Sequence, residues 1–238
     1  MLPKIEHPIH EVYLKSLDKK IRFRPFLVKE EKLLLMAKET DELNEVVKTI
    51  KQIITNCCLD DIDIDSLPTF DIEMFFIHLR MQSVGSLAEM TYQCNNIVNG
   101  NTCDHKINFN LALENVKYKI DDNHTNIIKL TDAVGVKFNY PTLNIPQSVL
   151  DEKFQDGGYE VIVDYLDYIY DANQIYKAKD VSKDELLAFF ESLTLDQVRN
   201  IKNFFATSPR VILEQKITCE KCSYVHDVNV EGILNFFE

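Results

Sequence analysis

The sequence predicts an α+β fold in which antiparallel hairpins frame a helical N-terminal part and a helical insert. Three observations carry that reading. Apolar and polar residues alternate with a period of two over 10–26, 87–111 and 211–230, whereas spacings of three and four recur over 29–54, 69–83 and 159–205. Two cysteine pairs, Cys94 with Cys103 and Cys219 with Cys222, each sit at a turn between two strand-like runs.

The totals bound the answer. A chain of 238 residues, 45% of them hydrophobic, can bury a core of its own. Only 6 glycines and 7 prolines, with no Gly/Ser-rich or Pro-rich stretch, argue against flexibly linked modules. A net charge of -12 excludes a surface that tracks phosphates, so no nucleic acid is expected as partner. No run approaches the ~18 apolar residues of a membrane span, and the first residues lack signal-peptide form, so a soluble intracellular chain with reduced thiols is expected.

Taken in order, His10 to Leu17 and Ile21 to Phe26 read as two strands around Asp18-Lys19-Lys20, with Pro25 ending the ladder and Arg22 and Arg24 on a solvated face. Residues 29–38 form a first helix. Thr40 or Asp41 caps a second, whose stripe is Val46, Val47, Ile50, Ile53 and Ile54. The adjacent Cys57 and Cys58 end that pattern as core or helix-end residues. Asp60, Asp61, Asp63 and Asp65 imitate a calcium loop, but Ser66 stands where glycine is needed and Ile72 where a bidentate Glu is needed. Thr69 is then expected to cap a helix carrying Ile72, Phe75, Phe76 and Leu79, stopped at Gly85, with His78 as a structural histidine.

After the first cysteine hairpin, 127–130 and 134–138 form another hairpin around Thr131-Asp132-Ala133. Tyr159 to Tyr170 reads as a helix through Val161, Ile162, Tyr165, Leu166 and Ile169. Capping boxes at Ser182 with Glu185 and Thr194 with Gln197 start two more helices, whose Leu and Phe residues are offered in part to assembly. The chain ends in strands at 211–218 and 224–230. The expected division is 1–112 plus 209–238 as a mixed α+β body with the four cysteines, and 113–208 as a hairpin and helical region packed on it; a single domain is the other option.

Cys219-Glu220-Lys221-Cys222 has the spacing of a metal-binding knuckle, whereas eight residues separate Cys94 from Cys103. Metal geometry fixes where sulfurs end, not the loop between them, so Cys94, Cys103, Cys219 and Cys222 are expected as ligands of one structural metal in a zinc-ribbon-like element. Zinc is favoured over an iron-sulfur cluster, because nothing signals redox work. Free thiols or a disulfide are the alternatives, and His105 and His226 are placed to support the site or to replace a cysteine. Four thiolates leave no open coordination position, and no phosphate loop, nucleophile elbow, His-Glu-x-x-His helix or triad order is present. An enzyme is not expected.

Arg24 to Ala37, Asp63 to Glu73, Leu79-Arg80, Ser83-Val84-Gly85 and Val136 to Pro141 resemble the baseplate hub subunit family of T-even-type contractile-tailed bacteriophages. The likeness is best over the first ~140 residues, and the long Cys94 to Cys103 spacing departs from it. It implies a non-enzymatic virion component of the tail baseplate, made in the host cytoplasm and contacting other hub and tail proteins, with homo-oligomerisation left open. An assembly chaperone absent from the finished particle and a zinc-ribbon adaptor protein are the alternatives.

Overall fold

A computed structural model describes residues 3, 5–40, 42–143 and 159–232. They form mixed helix and antiparallel sheet, an α+β fold. The chain divides into two compact units, one formed by Met1–Lys119 with Arg210–Glu238 and the other by Ile120–Pro209.

In the first unit, strands β1 (His10–Leu14) and β2 (Lys19–Phe23) pair antiparallel, with Asp18 taking a positive φ of 49° in the turn. Alternation buries Val12, Leu14, Ile21 and Phe23. Helices α1 (Val28–Thr40) and α2 (Leu43–Cys57) follow, and α2 buries Val47, Ile50, Ile53 and Ile54 of the expected stripe, with Val46 half-buried and Cys57 buried at its end. The cap expected at Asp41 lies outside the described residues; the N-cap position is Glu42, without a side-chain cap bond. Asp60 to Asp65 hold no calcium-loop geometry: Asp60 takes Arg22, Asp63 caps a short 3-10 turn at Ile64–Ser66, and Asp65 pairs with Lys51.

Helix α3 (Thr69–Ser83) is the centre of this unit. Phe70 to Ile77 and Leu79 are all buried, so the single stripe expected of it is in fact almost the whole circumference. It packs against β1, α2 and a long C-terminal strand, with Phe23 and Phe75 rings 5.4 Å apart. Thr69 is not its cap. Pro68 occupies that position, and its fixed φ of -58° suits entry into the helix. Arg24 also departs from the expected solvated face: its guanidinium donates to the buried Glu30 carboxylate at 3.0 Å and to the Asn56 carbonyl at 2.9 Å.

The cysteine-bearing strands complete the unit. β3 (Leu87–Gln93) pairs with β6 (Lys106–Ala112), and a small hairpin of β4 (Ile97–Val98) and β5 (Asn101–Thr102) lies between them. β7 (Lys117–Lys119), β12 (Arg210–Thr218) and β13 (Val225–Glu231) form a sheet in the order β13-β12-β7. Gln215 of β12 sews the two cysteine hairpins together: its amide donates to the Asn110 carbonyl at 2.9 Å and accepts from the Ala112 N–H at 3.3 Å.

The second unit contains β8 (Ile127–Lys129), β9 (Gly135–Phe138), β10 (Leu166–Tyr170) and β11 (Ile175–Lys177), in the order β11-β10-β9-β8. Its helices are α4 (Tyr159–Asp164), α5 (Lys183–Glu191) and α6 (Leu195–Thr207). The helix expected over 159–170 therefore stops at Asp164, and Leu166–Tyr170 is a strand paired on both sides. Val161, Ile162, Leu166 and Ile169 keep a helical spacing through the segment, and pairing with β9 and β11 overrides it from Leu166 on. Both capping boxes form as expected. Leu186, Phe190, Ile201 and Phe204 join Val136 and Phe138 in the core, so much of the apolar surface of these two helices, offered only in part to assembly, is buried within the unit.

Candidate metal centre

The site begins with two hairpins of opposite sequence position and matching backbone. In the C-terminal one, Cys219 follows β12, Ser223 turns left-handed at φ 59°, and β13 returns. The N–H of Cys219 donates to the Tyr224 carbonyl at 2.9 Å, and that of Ser223 to the Cys219 carbonyl at 2.8 Å. The other hairpin repeats each feature. Cys94 follows β3, Asp104 turns left-handed at φ 53°, the Cys94 N–H donates to the His105 carbonyl at 2.8 Å, and the Asp104 N–H donates to the Cys94 carbonyl at 3.0 Å. Cys94 thus corresponds to Cys219, and Cys103 to Cys222.

The longer Cys94 to Cys103 spacing is reconciled with this match by the β4–β5 hairpin. Asn99 and Gly100 take positive φ of 52° and 82°, the two-residue turn that suits tight hairpins. The Cys103 N–H donates to the Asn96 carbonyl at 2.8 Å and closes its base. The extra residues are extruded from the knuckle, whose cysteine backbone is undisturbed. Ile97 and Val98, both exposed, lie on this projection.

The four Sγ atoms lie within 4.8 Å of one another. Across the two hairpins, Cys94 Sγ is 3.6 Å from Cys222 Sγ and Cys103 Sγ is 3.8 Å from Cys219 Sγ. A tetrahedral ion with metal–sulfur bonds of ~2.3 Å sets its sulfurs ~3.8 Å apart, so four thiolates in this arrangement could hold one metal ion. Cys94, Cys103 and Cys219 are buried and Cys222 is half-buried. Burial pushes the Cys94 thiol up to about 12, whereas the Tyr224 backbone N–H pulls the Cys222 thiol down to about 6. One negative charge is readily accommodated; accumulating several calls for a cation.

Around the sulfurs stand further donors. His226 is buried, with Nε2 3.1 Å from Cys94 Sγ and its ring between those of Tyr92 and Tyr224, at centroid distances of 5.0 and 4.7 Å. The Asn96 amide nitrogen lies 3.6 Å from Cys222 Sγ, and Lys221 donates to the Cys103 carbonyl at 3.0 Å. His105 takes part through its backbone carbonyl. Asn96 escaped the sequence reading, although Asn99-Gly100 is a hairpin signal from which its place at a strand base follows. Cys57 and Cys58 stand apart from the cluster: Cys57 ends α2, fully buried, with burial pushing its thiol up to about 11.

A family model described as T4 bacteriophage base plate protein matches residues 7–238. No curated protein and no solved structure matches the chain.

Proposed function

The chain belongs to the T4 bacteriophage base plate protein family, and we propose on that premise that it is a structural subunit of the baseplate hub of a contractile tail. The observation that carries this reading is the extent of the match, which runs through both compact units and not through one module alone. Its work is done by protein–protein contacts with other hub and tail proteins, first during assembly in the host cytoplasm and then in the virion, and it catalyses no reaction.

The four cysteines serve that role as a structural zinc site in a zinc-ribbon-like element, with Cys94, Cys103, Cys219 and Cys222 as ligands. Cross-hairpin sulfur separations of 3.6 and 3.8 Å support it. The soft, all-thiolate donor set favours zinc, and a filled shell leaves no position for a substrate. The ion ties residues near the middle of the chain to residues near its C-terminus, which makes the first unit a firm body on which partners dock.

Mass spectrometry of purified particles tests the subunit reading. Stoichiometric presence is expected, while absence from finished particles would assign the chain to assembly alone. Elemental analysis with thiol titration tests the metal: about one zinc per chain and four protected thiols are expected, and a metal-free chain with all thiols reactive overturns it.

A further inference from the structure

We propose that Asn96 and His226 are reciprocal positioning residues of the metal centre, each donating from its own hairpin to a cysteine sulfur of the other. The inference rests on the metal reading above. His226 lies on β13 and reaches Cys94 at 3.1 Å; Asn96 lies at the base of the β4–β5 hairpin and reaches Cys222 at 3.6 Å. Cys94 and Cys222 are themselves the closer cross-hairpin pair. One edge of the sulfur tetrahedron is therefore latched from both sides.

The donor direction follows from the acceptor. A metal-bound cysteine is a thiolate without a proton to give, so Nε2 of His226 and Nδ2 of Asn96 must carry the hydrogens. His226 is thereby fixed as the Nε2–H tautomer. Its ring cannot turn away, because it is buried and lies against Tyr92 and Tyr224. Asn96 is held by its backbone: its carbonyl receives the Cys103 N–H at 2.8 Å. A single residue thus bonds to two of the four ligand residues, Cys103 and Cys222. In the two-residue knuckle the equivalent place, two residues after Cys219, is Lys221, which crosses back to the Cys103 carbonyl at 3.0 Å and not to a sulfur, so the side-chain donor to sulfur on this side is Asn96.

The chemical effect is to spread charge. Four thiolates on a divalent ion carry two net negative charges in a buried place, and each N–H···S bond withdraws density from one sulfur. Loss of such outer partners costs about 10- to 100-fold in metal affinity. The latch also couples the hairpins directly, so the sulfurs are held near ligand geometry before the ion arrives.

Cobalt(II) is the probe, titrated into the purified full-length chain under reducing conditions and read by its sulfur-to-metal charge-transfer absorption and by competition with a chelator. His226→Phe keeps an aromatic ring between the tyrosines and removes the donor; Asn96→Ala removes the amide and leaves the backbone bonds. Each is expected to weaken cobalt binding about 10- to 100-fold and to shift the charge-transfer band to lower energy. His226→Gln, which restores an N–H, is expected to recover part of both. Wild-type affinity and an unshifted band in both His226→Phe and Asn96→Ala overturn the latch while leaving the metal site standing. A wild-type chain that takes up no cobalt or zinc overturns the metal reading and the latch together.

Discussion

Asp71 is a carboxylate with no exposed surface, and three donors converge on it: the backbone N–H groups of Lys15 and Ser16, both at 2.9 Å, and the Tyr118 hydroxyl at 2.6 Å. It ties the β1–β2 turn and β7 to the first turn of α3, which its sequence position as a helix-start acid does not disclose. Asp71→Ala leaves those donors without their acceptor and is expected to cost about 3 kcal/mol or more, against about 1.5 kcal/mol for Tyr118→Phe, in urea unfolding. A loss for Asp71→Ala inside 1 kcal/mol would remove the tether from the account of stability. Burial, reinforced by Asp71, raises the Tyr118 phenol above its ordinary value of 10.0. Because the folded chain holds that proton more tightly than the unfolded one, the contribution is complete below pH 10 and is lost as pH rises further. Tyr118→Phe should therefore flatten the alkaline limb of the stability profile. His124 gives the opposite limb. Thr207 donates its hydroxyl to the Asn203 carbonyl at 2.8 Å, so Nδ1–H of His124 donates to Thr207 at 2.9 Å and Nε2 accepts from Tyr140 at 3.1 Å. Burial holds this imidazole below 6.5, and the unfolded chain takes up the proton first. Stability from this group is complete above about pH 6.5 and falls as pH drops through the window below it. Equal acid sensitivity between pH 7 and 5 in the wild type and in His124→Gln would count against that assignment.

At the scale of elements, what was legible in the sequence was what is decided locally. The box at Thr194 and Gln197 forms because its partners are three residues apart, and α2 shows its stripe because only one side of it is covered. Long-range partners decided the rest. Leu166–Tyr170 is a strand because β9 and β11 flank it, α3 is buried almost all round because it is the unit's centre, and Arg24 is drawn inward by Glu30. The candidate site divides the same way. Cys219 and Cys222 carry their knuckle in their spacing, whereas the correspondence of Cys94 and Cys103 to them depends on a hairpin folded out of the way. Gln197 shows how a local motif takes on a long-range duty. Its Oε1 accepts from the Thr194 N–H at 2.8 Å, while its Nε2 donates to the Leu130 carbonyl at the end of β8, also at 2.8 Å. Thr194→Ala loses only the cap, at about 1 kcal/mol. Gln197→Glu keeps the cap acceptor but turns a carboxylate oxygen toward the Leu130 carbonyl, and is expected to lose more, by about 1–3 kcal/mol in thermal unfolding. Equal losses in the two variants would show that the bond to Leu130 carries no weight.

For the molecule as a whole, the decisive property is that one compact unit is assembled from two distant parts of the chain, 1–119 and 210–238. β12 must find β7, Gln215 must find the edge of β6, and Cys219 and Cys222 must find Cys103 and Cys94, all across 90 or more residues of intervening chain. Closing a loop of that length is entropically costly, and polar stitches of the Gln215 kind return only about 1 kcal/mol each. A four-thiolate ion of the kind proposed would be a much stronger clasp, because its binding free energy would be realised only when both hairpins are in place. Removing it should loosen the closure and not merely one turn. Cys219→Ser is therefore expected to lower metal content and to lose several kcal/mol of stability, with impaired incorporation into baseplates. A strong chelator should reproduce the stability loss in the wild type and add little in Cys219→Ser. Gln215→Ala serves as the control, since it weakens the same closure by about 1 kcal/mol without touching a ligand and should retain full metal content. If Cys219→Ser unfolds at the wild-type temperature, and the chelator moves neither protein, then the two ends of the unit are held by packing and hydrogen bonds alone.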